Sequence, residues 1–98
     1  MFVRIVKMSF HPEKISEFID LFDEKKDFIR KSKGCRLLEL YREQKESNIF
    51  FTYSYWESEN DLEDYRNSDL FKGTWAKTKI LFNDKPQAWS VDKLISLT

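Results

Sequence analysis

A chain of 98 residues makes one domain, residues 1–98, and at this length folding buries only about two-thirds of the surface the unfolded chain exposes. Nine Phe, four Tyr and three Trp supply the core, each burying on the order of 150–250 Å². Seventeen basic and seventeen acidic residues cancel, which leaves no electrostatic footprint for nucleic acid or an anionic membrane.

The single Cys35 has no intrachain partner, and the amino-terminal MFVRIVKMSF has neither the apolar run nor the cleavage pattern of a signal peptide. A cytoplasmic location is expected. No apolar stretch approaches the roughly 18 residues that span a bilayer. With two Gly and two Pro there is no flexible linker and no low-complexity tract.

Residues 2–10, FVRIVKMSF, read as a strand that is mostly apolar on both parities, with Phe2, Arg4, Val6, Met8 and Phe10 on one side. His11-Pro12-Glu13 breaks it. Pro12 suits a first helical position, and Glu13 and Glu17 favour the positive end of a helix dipole. Ile15, Phe18, Ile19, Phe22 and Ile29 then recur at helical spacing, with Lys14, Asp20, Asp23, Glu24, Lys25 and Asp27 on the wet side. Gly34 is expected to end this helix as a left-handed cap.

Cys35 to Glu43 predicts a second strand, and the polar Gln44 to Ser47 connects it to a third at Ile49 to Trp56, most simply as an antiparallel hairpin. The third strand, IFFTYSYW, is the strongest in the chain: every residue is aromatic, β-branched or small, and none is charged. Neither of its parities is made for water. Ser58 with Asp61 resembles a capping box and opens a helix that buries Leu62 and Tyr65. A second start near Ser68 opens the stripe Leu70, Phe71, Trp75, Thr78, Leu81, Phe82, so a broken helix pair is expected. Asn83 to Pro86 is turn chemistry, and Ala88 to Leu94 reads as a final strand.

The order β-α-β-β-α-β predicts a ferredoxin-like α+β fold, a four-stranded antiparallel sheet carrying its helices on one face. Strands 2–10 and 49–56 are apolar on both faces. One helical layer therefore leaves exposed more than the few hundred Å² usual for a monomer. A second copy is the simplest cover, giving a homodimer packed sheet face to sheet face as a closed or nearly closed barrel.

The run SYWESENDLEDYRNSDLFKGTW, together with the apolar first strand, the helix ending in Gly34-Cys35 and the LELYRE strand, resembles the antibiotic biosynthesis monooxygenase domain of the dimeric α+β barrel superfamily. The resemblance covers nearly the whole chain. It implies a cofactor-independent monooxygenase in which a small aromatic or quinol-type substrate, once deprotonated, gives an electron to O2 while the protein supplies shape and electrostatics. A non-catalytic dimer that binds a small ligand, or an isomerase on the same scaffold, remains open. The heme-degrading branch of the superfamily uses an axial His, a Trp and an Asn, and the matching positions here are Trp75, Tyr65 and Val6. Indole is no iron ligand and Val donates no hydrogen bond, so heme degradation is disfavoured.

A pocket for a phenol or quinol wants apolar walls and one or two groups that hold and ionise its oxygen. Between sheet and helices the chain offers Arg4, Phe50, Thr52, Ser54, Trp56, Tyr65 and Trp75. Thr52 and Ser54 are small enough to leave room for a ring, although Phe71 or Phe82 is large enough to fill it. Tyr65 and Trp75 are candidate catalytic residues by the resemblance, and core residues by their place on apolar stripes. Arg4 suits a phenolate or a carboxylate across the sheet equally well. His11, the only histidine, is a candidate base on the strength of its pKa and a loop residue by its place beside Pro12. The acidic clusters look like exposed helix faces, no His or Cys lies at ligand spacing, and there is no glycine-rich phosphate loop. Neither a metal nor an organic cofactor is expected.

Overall fold

The computed structural model describes residues 1–98. The β-branched and aromatic runs form the strands β1 (Phe2–Ser9), β2 (Cys35–Arg42) and β3 (Ile49–Trp56), with β4 (Gln87–Val91) closing the chain's regular structure. The helices are α1 (Ile15–Arg30), α2 (Glu59–Arg66) and α3 (Asp69–Lys79). The strands make one antiparallel sheet in the order β2-β3-β1-β4, which is the ferredoxin-like α+β arrangement with the second helix broken in two. None of the helices is long and apolar enough to cross a membrane.

The break between α2 and α3 comes from two serine caps. Ser58 Oγ accepts the backbone N–H of Asp61, and Ser68 Oγ accepts that of Phe71, each at 3.2 Å. Each cap satisfies a donor that a helix start leaves free, so the chain restarts at Asp69 in a new direction instead of running on.

Register decides which side chains share a face. Phe2, Arg4, Val6 and Met8 of β1 stand opposite Trp56, Ser54, Thr52 and Phe50 of β3, and this is the face beneath the helices. There Met8, Phe10, Phe18, Phe50 and Leu81 form the main core cluster, with Phe10 stacked on Phe18 at 4.2 Å between ring centroids. Cys35, Trp56 and Leu62 form a second cluster nearer α2.

The opposite face carries Ile5, Tyr53, Phe51 and Trp89, and no helix lies on it. Tyr41 and Trp89 there are 46% and 44% exposed. The carboxy-terminal tail reaches one corner, where Lys93 Nζ lies 4.4 Å from the centre of the Tyr55 ring.

Several local expectations are corrected. Pro12 opens a short 3-10 turn (Pro12–Lys14) ahead of α1 instead of the helix itself. Ile19 points outward, 39% exposed, because α1 turns its face toward Phe18 and Ile29. Gly34 does not cap α1, which ends at Arg30 with Lys31 as its cap. It is left-handed (φ 82°) three residues later, in the turn that leads into β2. The first strand stops at Ser9 and Phe10 makes only an isolated bridge to Phe82. The second stops at Arg42 and the last spans Gln87–Val91, so Asp92 to Leu94 are unpaired.

Candidate functional site

Between the sheet and the helices lies a cavity of about 300 Å³, bordered by members of both core clusters. Its floor is the helix-facing side of β1 and β3. Alternation along these strands places Arg4 and Val6 beside Thr52, Ser54 and Trp56, and the small Thr52 and Ser54 lower the floor between larger neighbours. The walls come from α2 and α3, which present Tyr65, Phe71 and Trp75. Two sides of this lining are one aromatic chain. Tyr65 stacks on Trp56 at 5.1 Å, Phe71 meets Tyr65 edge-on at 5.2 Å, and Trp75 lies parallel to Phe71 at 5.9 Å.

Six of the eight sequence-predicted site residues are brought together here: Arg4, Thr52, Ser54, Trp56, Tyr65 and Trp75. His11 is not among the lining residues. It is exposed at the start of the 3-10 turn, beyond the end of β1, where its backbone N–H donates to Leu81 O at 3.1 Å. Phe50, also expected in the pocket, is 2% exposed and spent on the core, packed edge-on against Phe18 at 5.2 Å. Phe71 walls the cavity without filling it, and Phe82, partly buried, packs against the main core.

Three polar groups set the chemistry available. Tyr65 is mostly buried, and that burial, with a smaller contribution from nearby Cys35, pushes its phenol well above the ordinary tyrosine range. It is a neutral donor at any working pH. Arg4 Nη1 donates to Ser90 Oγ at 3.0 Å. Burial and then the neighbouring charge of Arg66 lower its pKa, with Glu63 partly offsetting them, yet a guanidinium stays protonated. Ser54 Oγ accepts the indole N–H of Trp56 at 2.9 Å and keeps its own proton to offer.

Thr74 and Arg66 are polar lining residues that sequence reasoning missed. Thr74 Oγ1 is buried with no hydrogen-bond partner, whereas Thr78 Oγ1 on the next turn donates back to Thr74 O at 2.8 Å. Thr74 sits four residues before Thr78 on the α3 stripe, and that spacing was the available signal. Arg66 lines the cavity because α2 ends there, which no periodicity reveals. No group of three or more His, Cys, Asp or Glu side chains is placed to hold a metal ion.

The fold and the sheet-helix cavity together define a ferredoxin-like α+β protein with its helices on one face of a four-stranded antiparallel sheet, and sequence and structure comparisons narrow this. The model of the family described as antibiotic biosynthesis monooxygenase matches residues 1–77, and the chain belongs to that family. Among solved structures it is similar to a conserved protein from Methanosarcina mazei, with a TM-score of 0.88 at 24% identity, covering 95% of this chain and 93% of that one. A structure described as antibiotic biosynthesis monooxygenase gives a TM-score of 0.90 at 18% identity, over 97% and 100% of the two chains. Rv0793 from Mycobacterium tuberculosis gives 0.88 at 18% identity, over 99% and 98%. At these identities the likeness carries the fold and not the chemistry. No curated protein matches the chain in sequence.

Proposed function

We propose that this chain is a cofactor-independent monooxygenase that oxidises a small aromatic or quinol-type compound in the cavity between its sheet and helices. The observation that carries the reading is the cavity itself. About 300 Å³ of space, walled by Trp56, Tyr65, Phe71 and Trp75 and touched by only a few polar groups, suits one or two fused rings. Family membership supports the reaction type.

In this reading Arg4 favours the ionised form of a ring hydroxyl, and the released proton passes to solvent, since no histidine or carboxylate lines the cavity. The electron-rich anion then reduces O2. One oxygen atom enters the ring as a carbonyl and the other leaves as water with the two hydrogens the substrate gives up, so no further reductant is needed. Tyr65 donates a hydrogen bond to the substrate oxygen and Trp75 holds the ring plane. Thr52, Ser54 and Trp56 form the surface against which it lies. His11 has no part in this reaction, being outside the cavity. A second copy of the chain covers the outer face of the sheet, making the working protein a homodimer.

Oxygen uptake with a panel of hydroquinones and anthrones, in chelator and without added flavin, tests the proposal. Uptake equal to the substrate consumed is expected. Binding of these compounds without any uptake would instead leave a ligand-binding dimer.

A further inference from the structure

We infer that the substrate carries a carboxylate, held at the polar end of the cavity by Arg4 and Arg66, with its ring among the aromatic walls. This rests on the reading of the cavity as a site for a small aromatic compound, and adds the class of compound.

The aromatic cavity is lined by two guanidinium groups and by no Asp or Glu. Arg4 and Arg66 also line an adjoining polar pocket of about 300 Å³, together with Glu59, Glu63 and Ser90. The two arginines therefore stand at the junction between an apolar space and a polar one. The chain's formal net charge is zero, so this is a local arrangement and not part of a basic surface.

Arg4 makes no ion pair, and its one side-chain hydrogen bond is to Ser90 Oγ. A guanidinium has five N–H donors, so most of those on Arg4 have no protein acceptor. A half-buried charge in that condition is costly unless something pairs with it. Its backbone is held in the middle of the sheet, opposite both Ser54 and Ser90, so the fork is presented from a rigid element. Arg66 is already engaged by Glu63 at 3.5 Å. Arg4 itself forms no ion pair, and on its apolar side it meets a cavity that no acidic side chain lines.

The free donor fork of Arg4 selects the anion. A carboxylate brings one negative charge and two oxygens that fit the planar guanidinium fork. A phosphate dianion would bring a second charge next to Glu59 and Glu63 and lose what it gained.

Isothermal titration under argon, where no turnover occurs, compares 2,5-dihydroxybenzoate with benzene-1,4-diol, two probes that differ by the carboxylate alone. Wild type is expected to bind the carboxylated probe at least about tenfold more tightly, the worth of a charge-assisted hydrogen bond. Arg4→Gln should erase that preference, the carboxylated probe losing at least about tenfold more affinity than the neutral diol. Arg66→Gln, at an exposed position, should reduce the preference and serves if the first variant does not fold.

Equal binding of the two probes by wild type, or a preference that survives in Arg4→Gln, overturns the carboxylate inference and leaves the aromatic site standing. Binding of neither probe overturns both. Tight binding of the carboxylated probe with no oxygen uptake in air supports the inference while removing the monooxygenase reading.

Discussion

The indole Nε1 of Trp56 donates a 2.9 Å hydrogen bond to Ser54 Oγ, two residues earlier on the same face of β3, and both side chains are buried. This bond pins the largest side chain of the cavity floor, and with it the ring on which Tyr65 stacks. Ser54→Ala would leave a buried N–H with no acceptor and is expected to lower stability by about 1–3 kcal/mol. The urea midpoint measures this, and an unchanged midpoint would mean that the indole has found another acceptor.

Tyr65 and Cys35 share a pH signature. Burial raises both pKa values above their ordinary ranges, so the unfolded chain gives up these protons at lower pH than the folded one. Their stabilising effect is complete below the ordinary pKa values and is lost as pH rises through the folded ones. Wild-type stability should therefore decline above about pH 8.5 through Cys35 and further above about pH 10 through Tyr65. Urea midpoints of Cys35→Ala and Tyr65→Phe across pH 7 to 11 should each show a shallower decline; a slope unaltered in both removes the burial argument.

The same Tyr65→Phe change tests catalysis at neutral pH. It keeps the ring and its stacking while deleting the donor, so kcat for oxygen uptake should fall by roughly tenfold to a hundredfold, with little change in stability at pH 7. Turnover equal to wild type would take Tyr65 out of the site.

The two glycines make opposite predictions. At Gly34 the backbone is left-handed, and a Cβ would collide with Asp61 Oδ2 and lie 2.5 Å from Asp61 Cβ, so no rotation of the Asp61 side chain relieves the clash. Gly34→Ala should cost more than about 1 kcal/mol. Gly73 is inside α3 with nothing within 4 Å of its would-be Cβ. Gly73→Ala should add about 0.5–1 kcal/mol, and chemical denaturation of the pair reads both signs in one experiment.

Ile5 sits near the middle of the uncovered sheet face, between Tyr53 and Trp89 on the neighbouring strands. Sedimentation at micromolar concentration is expected to give about twice the 11.9 kDa chain mass. Ile5→Glu, which places a charge in that face, should return the single-chain mass with its far-UV circular dichroism intact. A wild-type chain sedimenting at 11.9 kDa would end the dimer reading.

Much of the fold was legible because its signals are local. The uncharged run Ile49–Trp56 and the serines at 58 and 68 depend on neighbours a few residues away, and the structure puts strand and helix starts where they indicate. Strand ends and Gly34 were misplaced for the opposite reason. Gly34 answers to Asp61, a residue 27 positions on, and β4 is set by its pairing with β1, which runs from Lys7–Gln87 to Val3–Val91.

By itself, then, the order of residues determined which segments become strands and helices, how the sheet's two faces are composed, and which side chains could meet between sheet and helices, since periodicity and capping act over one or two turns. Only the tertiary structure decided that Phe50 fills the core while Thr52 and Ser54 leave a cavity, that His11 stands apart from it, and that Arg4 and Arg66 converge at its edge. Those outcomes turn on the register between strands and on where α2 stops, and contacts between residues distant in the chain set both.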